Sequence, residues 1–275
     1  MKIERHHFNN ESKEFYYSYF IEKIEKLKKS IEFNPKNAGF IFKSAFSAIG
    51  DAVACEKPTE EVFELIYLAT ELGVNYFRNV RALEGASVVM EIQEEEFEVT
   101  AKPDNSYSNA YNWQQYFYCA MISRNGEAID ELSAVPEEVF RASEIVYDEV
   151  DFAIVRFLKG IYQDEKIAPL LLEAIKLTAH EFNDKERLDY LDYIKLPELE
   201  LYMHIFGDEN EKFNISLAEA LESHKKFWKK DPNDPEGWIS FPIICACIIA
   251  YESYDFKIEV ESDYLPMLLV TNDWE

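Results

Sequence analysis

Five histidines and four cysteines are the side chains of this sequence best suited to metal binding or nucleophilic chemistry. The histidines stand at positions 6, 7, 180, 204 and 224, without the spacing of a metal site. The segment HEFND at residues 180–184 comes nearest, because a zinc protease helix carries two histidines four residues apart around a glutamate. Asp184 holds the second position here. We therefore interpret this segment as a solvated helix end and predict no metal site.

The cysteines lie in apolar segments, at positions 55, 119, 245 and 247. On a helix, residues two apart are separated by about 200° of rotation, so Cys245 and Cys247 cannot face one ion. Apolar surroundings raise the pKa of a thiol and make it unreactive. We therefore predict reduced, buried cysteines that fill the core and form no disulfides.

Carboxylates are abundant, with 53 Asp and Glu against 28 Lys and Arg and a net charge of −25. In so acidic a chain, two neighbouring carboxylates say little about acid–base catalysis. The sequence also has no glycine-rich phosphate loop and no glycine-flanked serine nucleophile. We therefore predict no enzyme and no cofactor. The charge would repel nucleic acid and anionic membranes and favour a basic protein partner, although plain solubility explains it equally well.

Helical periodicity dominates the chain and predicts the elements that position these side chains. The first stripe consists of Tyr16, Phe20, Ile24, Leu27 and Ile31, and similar stripes recur to the C-terminal third. Ser216 and Glu219 have the spacing of a capping box that would begin a further helix. We predict an all-α fold of antiparallel helical pairs in a bundle or short α-solenoid. It would form a single domain over residues 1–275, with a frayed N-terminus at 1–10.

One region has the two-residue period of β structure instead. VVMEI and FEVTA alternate faces around the acidic QEEE of residues 93–96, which predicts a β-hairpin insertion over residues 86–102. A charged tip beside tyrosines combines steering charge with anchor residues. The predicted partner-binding residues are Glu91, Glu94, Glu95, Glu96, Glu98, Tyr107 and Tyr111. A solvated hairpin next to core tyrosines is the alternative. Asp189, Asp192, Glu198 and Glu200 form a second acidic set with weaker aromatic support.

The C-terminal third contains the most apolar segment, WISFPIICACIIAY at residues 238–251. It is too short to span a bilayer and has the pattern of a central helix buried on every side. The following segment alternates Phe256, Ile258 and Val260 with charges, so we predict an extended segment that crosses the bundle and ends at Pro266. Since MKIERHHFNNESKEF lacks an apolar core, we expect no signal peptide and a cytoplasmic protein.

Several short motifs occur in an order that resembles a known family. They are a helix led by Trp113, an Arg124-Asn125 turn, Leu132 with Val135-Pro136, a Gly237-Trp238 entry to the apolar helix, and a closing Ser262-Asp263-Tyr264-Leu265-Pro266. Over roughly residues 35 to 270, this succession is similar to the immunity protein 49 family of bacterial polymorphic toxin systems.

The resemblance implies an all-helical protein that binds and neutralises a cognate toxin in the cytoplasm without catalysis. It assigns no functional residues, and Trp113, Trp238, Tyr264 and Pro266 are interpreted as structural. The toxin could be a basic nuclease domain, which the charge would suit. Two alternatives remain open from the residues: a helical-repeat scaffold for peptides or other intracellular proteins, and a metalloenzyme centred on HEFND.

Overall fold

The structure is a computed structural model that describes residues 2–7, 10–145, 147–163, 166–179 and 182–273. It is mostly helical, with only small strand pairs, which confirms the predicted all-α class with a β insertion. The chain divides into two compact units, one of residues 11–155 and the other of residues 1–10 together with 156–275. Each unit is described by itself below, and the single domain stays a prediction.

The elements follow one another through short connections. In chain order they are β1 (Lys2–Ile3), α1 (Asn10–Phe33), α2 (Asn37–Ala54), α3 (Thr59–Arg81), β2 (Ser87–Ile92), β3 (Glu95–Thr100), α4 (Ala110–Ile122), α5 (Gly126–Ser133), α6 (Glu137–Arg141), α7 (Glu149–Tyr162), α8 (Ile167–Thr178), α9 (Lys185–Tyr190), a π-helical turn (Leu191–Lys195), α10 (Leu196–Phe206), α11 (Asn210–Trp228), a 3-10 turn (Pro235–Gly237), α12 (Phe241–Tyr254), β4 (Glu261–Ser262) and α13 (Met267–Thr271).

In the unit of residues 11–155, α3 packs between α2 and α4 around an aromatic core. The rings of Phe42 and Tyr116 lie 3.9 Å apart between centroids. Gly73 makes this packing possible, because a Cβ atom there would come within 2.5 Å of the Tyr116 ring. Trp113 is fully buried, stacks on Phe117 at 4.6 Å and donates from Nε1 to the Leu132 carbonyl at 3.0 Å.

The inner face of α1 differs from the predicted stripe by one position at its N-terminal end. Phe20 and Ile31 are buried as predicted, but Tyr16 is 59% exposed and Tyr17 takes the inward position. Spacing does not choose between the two tyrosines, because Tyr17 and Tyr16 precede Phe20 by three and four residues and both steps stay on one face. The Tyr17 hydroxyl donates to the Glu61 carboxylate on α3, so the polar end of this inward ring has a partner.

In the other unit, α12 is the central helix. All residues from Ile243 to Ala250 are buried, which agrees with the predicted core helix. Burial raises the pKa of the Cys247 thiol in α12, as it does for Cys119 in α4 of the first unit, and none of the four cysteines forms a disulfide. The next segment, residues 255–260, has no regular secondary structure, and only Glu261–Ser262 of the predicted extended segment forms a strand. Phe256 and Val260 are buried, and Asn214 of α11 hydrogen-bonds the Lys257 carbonyl and the Glu259 amide at 2.8 Å each.

Two sequence predictions in this unit are wrong. Residues 2–7 are not frayed, because β1 pairs in parallel with β4 and Ile3 is buried. No local pattern reveals a strand partner some 260 residues away. The capping box at Ser216 is also wrong, since α11 already begins at Asn210. Buried Phe213 extends the apolar stripe of α11 toward the N-terminus and places Ser216 inside the helix.

His224 of α11 is a buried titratable group in this unit. Its Nε2 donates to the Gly237 carbonyl at 3.2 Å, and its ring packs edge-on against Tyr264 at 4.9 Å. Burial lowers its pKa to about 3, an effect that His6 and Arg5 reinforce and the Gly237 hydrogen bond opposes. The folded protein therefore keeps this imidazole neutral.

This depressed pKa predicts acid sensitivity. Between about pH 6.5 and pH 3 the unfolded chain binds the His224 proton and the folded chain does not, so stability falls as pH falls, by up to about 1.4 kcal/mol per pH unit. Urea denaturation at pH 7 and pH 5 measures this loss. The variant His224→Gln, which cannot titrate, should lose about 2 kcal/mol less than wild type over that interval. Equal losses in the two proteins would contradict the assignment.

Candidate protein–protein interface

The β2–β3 hairpin is tighter than predicted. Gln93 and Glu94 alone form the turn, both with positive φ, at 50° and 65°. Two such residues make the mirror-image turn that fits the twist of an antiparallel pair. The predicted four-residue acidic tip is therefore wrong, since Glu95 and Glu96 belong to β3 and pair with Ile92 and Glu91.

The two faces of the hairpin differ in chemistry. The inner face buries Met90, Ile92 and Val99. The outer face carries exposed side chains only, with Glu91 opposite Glu96, Val89 opposite Glu98, and Ser87 opposite Thr100. We call the set Val89, Glu91, Glu96 and Glu98 the outer acidic face. Val89 is 50% exposed at its centre and adds an apolar contact to the charge.

Helix α3 fixes the hairpin through side chains that bond to backbone. The Asn75 amide nitrogen donates to the Glu91 carbonyl at 2.6 Å, and its oxygen accepts from the Glu91 amide at 3.3 Å. Asn79 does the same for Lys102, at 2.8 Å in both directions. At the turn, the Gln93 amide donates to Glu71 at 2.8 Å. These bonds attach the hairpin firmly, so the outer acidic face has a defined orientation on its unit.

Uncompensated charge is the main electrostatic property of the hairpin. Glu91, Glu94, Glu95, Glu96 and Glu98 form no ion pair with any residue in the described ranges. Glu91 and Glu96 also oppose each other directly, and like charges in that position destabilise a strand pair. The second acidic set differs, since Asp189 pairs with Lys230 and Glu198 is buried against Lys195 at 3.0 Å. The repulsion between Glu91 and Glu96 therefore does not help to stabilise the hairpin.

This repulsion makes a prediction about Glu96. The variant Glu96→Lys would turn the Glu91–Glu96 pair into an opposite-charge pair and should stabilise the hairpin by about 0.2–1 kcal/mol. Urea denaturation and amide exchange of the hairpin measure the effect. Glu95→Lys is the matched control, because its cross-strand neighbour is Ile92. If Glu96→Lys were no more stable than Glu95→Lys, the cross-strand repulsion would be negligible.

Beside the hairpin lies a concave acidic cleft of about 180 Å³ between α3, β2 and α5. It contains four glutamates against one arginine, namely Glu71, Glu91, Glu127, Glu131 and Arg78. Arg78 is held by Glu131, to which its Nε donates at 2.9 Å. Burial raises the pKa of Glu71, against the lowering effect of the Gln93 hydrogen bond. The cleft extends the negative potential of the outer acidic face onto a concave surface.

The two predicted tyrosines are packed on their own unit. Tyr107 is half-buried against Gly39, where an added Cβ would come within 2.9 Å of the tyrosine ring, and its amide donates to the Tyr76 hydroxyl at 2.9 Å. Tyr111 is also half-buried, with the Lys43 ammonium 5.5 Å from its ring centroid. Both have structural contacts, and their role as partner anchors stays a prediction.

Sequence reasoning missed an exposed aromatic group on α1. Phe15, Tyr16 and Tyr19 are more than half exposed, and the rings of Phe15 and Tyr19 stack at 6.1 Å. The signal is present in the sequence, because residues 15–19 contain four aromatic side chains, more than one inward stripe can bury. The predicted stripe included only Tyr16 of the three exposed residues, on the basis of its spacing from Phe20.

The remaining candidate features are the HEFND segment, possible metal ligands and the apolar helix. In HEFND, His180 and Glu181 lie outside the described residues, while Asp184 caps α9 by accepting from the Glu186 amide at 2.9 Å. Across the described ranges, no three His, Cys, Asp or Glu residues cluster as metal ligands.

Pro235–Tyr254 is long and apolar enough to cross a membrane, contrary to expectation, but 72% of its apolar window is buried, as in a core helix.

These observations define the class of protein: a mostly helical fold with a small β insertion that presents an acidic, uncompensated surface. The family model described as immunity protein 49 matches residues 53–269, well over half of the chain. The chain belongs to the immunity protein 49 family, which confirms the resemblance found in the sequence. No curated protein and no solved structure matches the chain. Family membership implies an immunity protein with a toxin as its partner.

The motif residues that carried the resemblance stabilise the fold. Trp113 donates to the Leu132 carbonyl, which joins two of the motifs. Arg124 adopts positive φ after α4, and the Asn125 side chain caps α5 by accepting from the Ala128 amide at 3.0 Å. Trp238, which is buried, donates to the Pro232 carbonyl at 3.0 Å. The interface must therefore be sought at other residues.

Proposed function

We propose that this protein binds its cognate bacterial toxin in the cytoplasm and neutralises it by occlusion, with no catalysis of its own. Membership of the immunity protein 49 family carries this proposal. It favours an immunity role over the helical scaffold, which the helix pattern alone allows equally. The toxin is a basic protein, such as a nuclease domain, because the chain has a net charge of −25 and an outer acidic face without cations of its own.

The state of the reactive side chains supports binding without catalysis. Burial raises the pKa of the Cys55, Cys119 and Cys247 thiols, which makes them poor nucleophiles at neutral pH. His224 is buried, and its nitrogen Nε2 donates to a backbone carbonyl. The protein therefore acts through contacts made by its surface residues.

We place the toxin-binding surface on the outer acidic face and the adjoining cleft. Interface centres need an apolar contact among polar neighbours, and exposed Val89 lies between such neighbours. The attachment of the hairpin to Asn75 and Asn79 orders this surface before binding, which reduces the entropy lost on association.

The decisive experiment tests the reading frames adjacent to this gene for one whose product kills the host cell, and expresses that toxin with and without this protein. We expect survival only in the presence of this protein, and co-purification of an equimolar complex with a catalytically inactivated toxin. Continued killing with the protein present at full level would contradict the proposed function. An immunoblot must show that the cells contain both proteins before this result is accepted.

Charge should act mainly on the rate of association. Long-range attraction is screened beyond about 8 Å at physiological ionic strength, so raising salt from 50 to 500 mM should slow association by about tenfold or more and change dissociation little. Stopped-flow or surface plasmon resonance with the inactivated toxin measures both rates. An association rate that does not respond to salt would show that the negative charge serves solubility alone.

A further inference from the structure

The backbone of β3 has an open edge whose residues can be identified from the ladder. The Ala101 amide donates to the Ala86 carbonyl at 2.7 Å, which fixes the phase of the hydrogen bonds between the strands. Since hydrogen-bonded and non-hydrogen-bonded pairs alternate, the backbone groups of Glu96, Glu98 and Thr100 point away from β2. By the same alternation, the backbone amide and carbonyl of Glu91 point away from β3, and the Asn75 side chain forms hydrogen bonds with both.

The two edges of the hairpin are therefore unequal. Asn75 closes the β2 edge at Glu91 with two hydrogen bonds. The sheet has two strands, so no third strand from the described residues pairs with β3. Glu96, Glu98 and Thr100 are all exposed residues, and no hydrogen bond from the described residues outside the hairpin uses their backbone amides or carbonyls. Such an edge is a template for another strand.

We propose that an extended segment of the basic toxin adds to the β3 edge as a third strand. Its backbone pairs with Glu96, Glu98 and Thr100, and lysine or arginine at alternate positions lies beside Glu96 and Glu98 on the outer acidic face. This inference rests on the proposed function and specifies its binding mode. Backbone pairing supplies affinity that does not depend on side chains, and the alternating cations supply specificity.

Charge decides which strand the edge accepts. A second copy of this chain pairing edge to edge would bring Glu96 and Glu98 of both copies together, and like charges on neighbouring strands oppose pairing. A strand with lysine or arginine at alternate positions would instead be attracted by Glu96 and Glu98. The carboxylates therefore block self-association and select a basic partner.

Glu98→Pro tests the edge without removing the ladder. Proline lacks the amide that an added strand needs, and the Glu98 amide is not used by β2. Glu98→Ala is the matched control, because it removes the carboxylate and keeps the amide. We expect the affinity for the inactivated neighbouring toxin to fall at least about tenfold further in Glu98→Pro than in Glu98→Ala.

Residue-resolved amide exchange in the wild type provides a second readout that needs no variant. On toxin binding, the amides of Glu96, Glu98 and Thr100 should slow strongly. Affinities of the proline and alanine variants within threefold of each other, or unchanged exchange at these amides in the complex, would overturn the added strand and leave the proposed function standing. Absence of toxin binding by the wild type would overturn both, and a dimer of this chain that Glu98→Pro dissociates would assign the edge to a second copy.

Discussion

Replacing Glu91, Glu96 and Glu98 together with lysine is expected to abolish protection against the toxin. The stability of the protein should stay within about 1 kcal/mol of wild type, because exposed charges away from packing contribute little. Each substitution changes the charge by two, so the outer acidic face goes from three negative to three positive charges. A basic partner would then be repelled at the point of contact, where like charges cost several kcal/mol.

The control for this variant must match its charge change elsewhere. Glu32, Glu144 and Glu222 are exposed, and replacing them with lysine also raises the net charge by six, from −25 to −19. We expect this control to slow association modestly and to protect cells fully. Growth under toxin expression and the affinity for the inactivated toxin are the measurements. Equal loss of protection in both triple variants would mean that only total charge matters and that the hairpin is not the interface.

Trp113→Ala is expected to abolish protection by a different route, through loss of stability. A fully buried tryptophan truncated to alanine costs about 3–5 kcal/mol, a large part of the 5–15 kcal/mol that is usual for folded proteins. The variant also leaves the Leu132 carbonyl without its donor. Urea denaturation should show the full loss, with a smaller loss for Trp113→Phe, which keeps an aromatic ring. A loss below about 1 kcal/mol in Trp113→Ala would contradict the structural role of this motif residue.

Local periodicity predicted the elements whose neighbours in sequence are also neighbours in space. The alternation of VVMEI and FEVTA gave both hairpin strands, and the apolar run of α12 gave a helix buried on every side. The errors occur where a distant contact decides. Pairing between β1 and β4 orders residues 2–7, and packing of the Phe213 ring against Phe256 at 5.5 Å draws α11 past Ser216 toward the N-terminus. Neither partner is visible in a local window.

The sequence predicted the acidic character of the candidate site, but not how its glutamates are arranged. Composition identified the glutamates of the hairpin, but the turn type determines that Glu91 opposes Glu96 and that Glu98 lies on the outer face. The cleft was not predictable, because Glu91 and Glu131 come from segments 40 residues apart and meet only across α3. Tyr107 was chosen by residue type alone, and its packing against Gly39 is a contact that no local pattern predicts; its role as an anchor stays a prediction.

The stoichiometry of inhibition tests the central claim most directly. Purified toxin is titrated with this protein while toxin activity is measured. Occlusion predicts that inhibition rises linearly and is complete at one equivalent, and that dissociation of the complex restores full activity. One molecule of this protein inactivating many toxin molecules, or a saturated complex that remains active, would contradict neutralisation by occlusion.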